Sequence, residues 1–258
     1  MALQFDSIVF GPIRSRRLGS SLGVNLLPAH GKVCSFDCVY CECGWNADGR
    51  GDTRIPPLDE VLTALDEGIS KCAAAGIPVD TITFSGNGEP TLHPDFAEIV
   101  DRTLSLRDLY FPRAKVSVLS NATQLHRPEV VAALKKVDNQ ILKIDSAVDE
   151  YAFLIDRPQD PRYSVARIAE QLAVFQGDFI LQTMFLKGIV DGKPVDCTDP
   201  LMASAWQTLV LRLRPRCVMM YTLDRRTPLD TLEKVTVEEM EEIAAPLRDQ
   251  GIEIQIKG

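Results

Sequence analysis

The chain contains no apolar run near the roughly 18–20 residues that a helix needs to cross a bilayer, so no membrane span is expected. Its opening Met-Ala-Leu-Gln-Phe-Asp lacks a basic stretch ahead of an apolar core, and no secretory signal is read there. Positive charge is in deficit: 36 acidic against 28 basic residues give a net charge of −8, without the basic footprint that nucleic-acid binding ordinarily leaves. Histidine is scarce, and of the three in the chain only His30 lies near the cysteine cluster described below. No linker-like, low-complexity or repeated segment divides the sequence. A single domain over residues 1–258 in a cytoplasmic protein is therefore expected, with 45% hydrophobic and 25% charged residues typical of a globular chain.

Seven cysteines are present. In a cytoplasmic chain they point to metal or redox chemistry more than to a disulfide framework. Four of them fall within ten residues, Cys34-Ser-Phe-Asp-Cys38-Val-Tyr40-Cys41-Glu-Cys43, three at C-x3-C-x2-C spacing. A structural zinc uses paired Cys or His ligands at separated positions. Here the pair-like spacings lie within one loop, so a site from His30, Cys34, Cys38 and Cys41 is the lesser alternative. A cubane held by four protein thiolates has no vacant iron; three leave one iron open to an outside ligand. Cys72 falls on a helical stripe and Cys217 on a strand, both read as core. Cys197 falls in a loop, and Cys43 reads as a bystander beside the triad.

Beyond this loop the pattern alternates. Leu58, Val61, Leu62, Leu65, Ile69 and Cys72 form one helical stripe over 58–73, stopped by Gly76. Strands are expected at 22–26, 79–85, 115–119, 140–144, 179–186, 217–223 and 252–256. Helices are expected at 95–107, from Pro128, from a Ser164 cap, around Trp206–Leu213, and from a capping box at Thr236-Val-Glu-Glu239. Alternating strands and helices imply βαβ units and a parallel sheet. About seven units fall short of a full eight-fold barrel, so an α/β fold is expected: a partial, open (β/α)6 barrel with an additional C-terminal strand. Sites in such folds form at the C-terminal ends of strands, and the cysteine loop over 34–43 follows the first one. Residues 1–20 read as a basic N-terminal extension.

Several further features sit at strand ends. Phe84-Ser-Gly86-Asn-Gly88-Glu89-Pro90-Thr91 offers glycines that allow close backbone approach and a carboxylate at Glu89, or simply a turn. Ser120-Asn121 either initiates a turn or presents polar groups to a ligand. Lys143 and Asp145, in Leu-Lys-Ile-Asp-Ser, and Gln182 interrupt apolar strands; a Lys143–Asp145 pair on one strand face is the structural alternative to a binding role.

The Cys34-x3-Cys38-x2-Cys41 pattern with Tyr40 before the last cysteine resembles the signature of radical S-adenosylmethionine (SAM) enzymes. The resemblance implies a [4Fe–4S] cluster on Cys34, Cys38 and Cys41, with SAM chelating the fourth iron through its amino and carboxylate groups. It also implies a 5′-deoxyadenosyl radical that abstracts hydrogen from a substrate. SAM contacts would come from Tyr40, from Gly86, Gly88 and Glu89 as a Gly-Gly-Glu-type motif, and from Ser120, Asn121, Asp145 and Gln182. The electron donor would be a flavodoxin or ferredoxin, and an open barrel suits a macromolecule or peptide as substrate. The run Gly11-Pro-Ile-Arg14-Ser-Arg16-Arg17-Leu-Gly19-Ser-Ser-Leu-Gly23-Val-Asn25, with Tyr221-Thr-Leu-Asp-Arg225, resembles the branch related to wyosine-forming tRNA enzymes. Archaeal-type members carry an extra N-terminal cysteine set, whereas this chain has no cysteine before Cys34. Arg14, Arg16, Arg17 and Lys143 are the candidate substrate contacts, since arginine forks suit phosphate and carboxylate. A tRNA-modifying enzyme and a non-catalytic zinc or iron–sulfur module are the alternative readings.

Overall fold

The computed structural model describes residues 4–15, 18–49 and 51–258; Arg16 and Arg17 lie outside the described residues. Those residues form two compact units. One comprises residues 4–35 and Trp45–Gln140, the other Phe36–Gly44 and Ile141–Gly258, so the cysteine loop is divided between them after Ser35.

The first unit opens with β1 (Val9–Ser15), antiparallel to β2 (Gly19–Val24). The segment read from sequence as a basic extension thus contributes a strand. Its residues alternate too weakly in hydropathy to announce one. Next come α1 (Leu58–Ala74), β3 (Thr81–Phe84), α2 (Phe96–Tyr110), β4 (Lys115–Ser120) and α3 (Pro128–Leu134), close to the expected bounds. β2, β3 and β4 run parallel in that order. All four residues of β3 are buried, as an inner parallel strand covered on both faces requires. α1 carries Asp59 and Glu60 in its first turn, where the helix dipole favours acids, and buries Val61, Leu65, Ile69 and Cys72 along one face.

The second unit contains most of β5 (Asn139–Lys143), then α4 (Asp149–Ile155), α5 (Val165–Leu172) and β6 (Ile180–Met184). The Ser164 hydroxyl caps α5 by accepting from the Arg167 N–H at 3.2 Å. β6 ends earlier than the apolar run 179–186 suggests. The chain leaves this sheet after Phe185, whose N–H still bonds the Tyr221 carbonyl at 2.8 Å. It then enters a separate antiparallel sheet in which β7 (Leu186–Val190) pairs with β8 (Lys193–Asp196). Hydropathy alone cannot mark that exit, because both sides of it are apolar. α6 (Pro200–Leu213) leads to β9 (Cys217–Tyr221), parallel to β6. β10 (Leu232–Lys234) returns to pair with β7. The expected capping box starts α7 (Val237–Asp249): Thr236 and Glu239 exchange side-chain-to-backbone bonds of 3.1 and 2.9 Å. β11 (Ile254–Lys257) closes the unit parallel to β9.

Candidate functional site

In the first unit, the glycine-rich end of β3 is stitched to the chain entering the cysteine loop. Val33 N–H bonds the Asn87 carbonyl at 3.0 Å, and Glu89 N–H bonds the Val33 carbonyl at 3.1 Å. Gly88, at φ +138°, must be glycine here, since a Cβ would run into the Val33 carbonyl. The Asn87 side chain ties the same region to the N-terminal chain, donating to the carbonyls of Phe5 and Pro28, each at 2.8 Å. Gly86, at φ +145°, leaves room for the Asn25 side chain, whose oxygen accepts from Asn87 N–H at 3.0 Å.

Glu89 is 2% exposed and organises the end of β4. Its Oε1 accepts from Thr91 N–H at 3.1 Å, from the Thr91 hydroxyl at 2.5 Å and from the Ser120 hydroxyl at 2.8 Å. Its Oε2 accepts from Asn121 N–H at 2.7 Å. Burial pushes the Glu89 carboxyl above its ordinary range, opposed by these hydrogen bonds. The Asn121 amide nitrogen in turn donates to Ser35 Oγ at 2.9 Å and lies 3.6 Å from Cys34 Sγ. The structure thus brings Glu89, Ser120, Asn121 and Cys34 into one network. Arg14 is exposed on β1, opposite Ser20, and takes no part in it.

In the second unit, the cysteine loop is held against the end of α4 by main-chain bonds, Asp37 N–H to the Asp156 carbonyl at 3.0 Å and Val39 N–H to the Ile155 carbonyl at 2.9 Å. Cys41 N–H closes a turn on the Cys38 carbonyl at 3.1 Å. This seating places Tyr40 and Cys38 beside the C-terminal end of β5. The Tyr40 hydroxyl donates to Asp145, and Lys143 is paired with both Asp145, at 3.0 Å, and Asp156. The Lys143 ammonium also lies 3.0 Å from the Tyr40 oxygen, 3.4 Å from Cys38 Sγ and 4.7 Å from the centre of the Phe36 ring. Lys143 and Asp145 therefore do pair, as their shared strand face allows. Gln182, on β6, is buried opposite Lys143 in the register.

Asp156 was not legible as a site residue. It follows the short helix α4 and becomes a partner of Lys143 only through tertiary folding; no periodicity marks it. Burial lowers the Lys143 affinity for a proton, but the Asp145 and Asp156 carboxylates outweigh it and hold the ammonium well above its ordinary range. Burial, then the Asp145 charge, push Asp156 up to about 7 against the pull of Lys143. Burial and the Asp145 charge also raise Tyr40. The native state therefore keeps a proton on Asp156 that the unfolded chain surrenders. Its contribution to stability is present below the ordinary carboxylate range and is lost as pH rises from about 4 to about 7. Denaturant titrations at several pH values should show wild-type stability falling relative to Asp156→Asn across that window. The relative fall should be on the order of a few kcal/mol, since each pKa unit is worth about 1.4 kcal/mol. A constant difference between the two proteins would refute the assignment.

The cluster implied by the sequence requires sulfur ligands that are not tied up in disulfides. None of the seven cysteines forms a disulfide. Nitrogen donors approach two of the three sulfurs, Asn121 at Cys34 and Lys143 at Cys38, which suits anionic sulfur acting as an acceptor. The donor chemistry fits. Among the described residues, no three His, Cys, Asp or Glu side chains gather closely enough to hold a single metal ion. The remaining thiols lie elsewhere: Cys72, Cys197 and Cys217 are all buried, and burial pushes the last two up to about 12. No helix is long and apolar enough to cross a membrane among the described residues.

Comparison with known proteins accords with this chemistry. A UPF0026 protein of Helicobacter pylori is 31% identical over 194 residues, 74% of this chain and 60% of that protein. A Brachyspira hyodysenteriae protein named GTPase Obg is 30% identical over 237 residues, 90% of this chain and 32% of its own length. The chain thus spans less than two thirds of either relative. A radical SAM methyltransferase from Sphaerobacter thermophilus has a TM-score of 0.65 at 16% identity, with 92% of this chain and 65% of that one covered. This likeness shows the fold to be α/β, of the open partial-barrel type that the order of elements implied. Residues 29–195, more than half of the chain, match the radical SAM superfamily, and the chain belongs to it.

Proposed function

We propose that this chain is an enzyme that holds a [4Fe–4S] cluster through Cys34, Cys38 and Cys41, binds SAM beside it and cleaves SAM reductively to begin hydrogen abstraction from a substrate. The observation that carries the reading is the thiol triad on one short loop, with a nitrogen donor at two of its sulfurs. Bound there, the cluster and SAM supply one-electron carbon–sulfur cleavage, chemistry that no side chain offers.

The chain's own residues supply placement and charge. Asn121 is fixed by Glu89 through its N–H, so its amide is held at Cys34. The seating of 37–39 on α4 fixes Cys38 and Tyr40 without relying on the metal. Tyr40, Gly86, Gly88, Glu89, Ser120, Asn121, Asp145 and Gln182 are the residues assigned to SAM, and Arg14, Arg16 and Arg17 to the substrate. An external flavodoxin or ferredoxin would deliver the electron.

The test is anaerobic reconstitution with iron and sulfide, followed by reduction in the presence of SAM and assay of 5′-deoxyadenosine. The expected result is a loaded cluster and 5′-deoxyadenosine that depends on the reductant. A fully loaded protein that leaves SAM intact would instead be a binding module. The tRNA reading predicts binding to bulk tRNA that weakens steeply with salt; undetectable binding at low salt removes it.

A further inference from the structure

We propose that Lys143 is a positioning residue that sets the reduction potential of the cluster by fixing a charged hydrogen bond on the sulfur of Cys38. The inference rests on the reading that Cys38 is a cluster ligand. The Lys143 side chain is only 12% exposed, and its ammonium has three protons to give. Four acceptors surround it: Asp145, Asp156, the Tyr40 oxygen at 3.0 Å and Cys38 Sγ at 3.4 Å. The two carboxyl groups anchor the ammonium, and the Phe36 and Tyr40 rings, 4.7 and 5.4 Å from it, restrict its movement. Asp145 is itself fixed, accepting from Tyr40 and from Met184 N–H at 3.0 Å. So anchored, the ammonium lies 3.4 Å from Cys38 Sγ.

A cation and a donor at a ligating sulfur stabilise the electron added on reduction, because hydrogen bonds to sulfur, local charge and solvent exposure set cluster potentials. Lys143 also turns a buried carboxylate pair, which would disfavour that electron, into a site that tolerates it. The ammonium's role is thus to aim a charge, while the carboxylates keep it aimed.

The test uses the full chain reconstituted anaerobically, with the midpoint potential read from the electron paramagnetic resonance signal of the reduced cluster, which counts only loaded molecules. Lys143→Met removes the charge but strands two carboxyl groups, so the decisive variant is Lys143→Met/Asp156→Asn, which removes the ammonium together with one of its two carboxyl partners. The expected result is a potential more negative than wild type by at least the equivalent of a tenfold change in the one-electron equilibrium, about 59 mV. Lys143→Arg should stay within that margin. A smaller shift in the paired variant overturns the proposal, as does an equal shift in Lys143→Arg. Complete loss of the cluster from the paired variant also overturns it, by making Lys143 a folding residue. If wild type itself assembles no cluster, the functional reading falls and this inference with it; if wild type loads and cleaves SAM, only the tuning role is at stake.

Discussion

Cys38→Ala protein, reconstituted anaerobically with iron and sulfide, is expected to lack the thiolate-to-iron absorption that wild type acquires, with iron content at background and 5′-deoxyadenosine below detection. Three thiolates are the whole protein share of the proposed ligand set, so losing one leaves two irons without protein ligands. The fold should survive, because the loop around Cys38 is seated by main-chain bonds from Asp37 and Val39 that the substitution leaves in place. Circular dichroism before reconstitution checks this. Cys43→Ala is the companion. Cys43 lies two residues beyond the triad and is read as a bystander, so iron content and absorption should stay near wild type. If the two variants exchange these outcomes, Cys43 is a ligand and the C-x3-C-x2-C assignment is wrong.

Glu89→Leu is expected to bring the largest loss of stability. The carboxylate is buried and satisfies two main-chain N–H groups, those of Thr91 and Asn121, along with the Thr91 and Ser120 hydroxyls. The hydroxyls can turn to other partners; the N–H groups cannot. Each stranded donor costs about 1–3 kcal/mol, so a loss of roughly 2–6 kcal/mol is expected against a total of about 5–15 kcal/mol for an ordinary domain. Glu89→Gln should lose less, roughly 1–3 kcal/mol. Its oxygen can serve Thr91 and Ser120, but its amide nitrogen then faces the Asn121 N–H. Urea midpoints of the apo-proteins measure both. A near-neutral Glu89→Leu would show that the network does not hold the β4 end, and the proposed placement of Asn121 at Cys34 would lose its support.

Much of this was readable before folding. The α1 stripe, the Thr236 capping box and the Ser164 cap are local devices, decided by residues three or four apart, and each stands where its spacing put it. The same holds for Gly88 and Glu89 as a strand-end motif. Other features were hidden because they depend on partners distant in sequence. β1 forms by pairing with β2 rather than through its own pattern. The β7–β8–β10 sheet begins inside an apolar run that reads as one strand. The meaning of Gly88 also changed: its missing Cβ admits the Val33 carbonyl, a packing requirement between chain segments.

The sequence by itself determined which chemistry is available. Three thiols at fixed spacing on one loop, in a chain whose residues 29–195 match the radical SAM superfamily, restrict the donors wherever the loop sits. Only the tertiary structure decided what surrounds each sulfur. Lys143 and Asp145 share a strand face by covalent geometry, but Asp156 joins them, and the ammonium comes to Cys38, only because the end of α4 and the cysteine loop are hydrogen-bonded along their main chains. Side-chain charges act over a few ångströms, and distances of that kind between residues a hundred positions apart are set by packing.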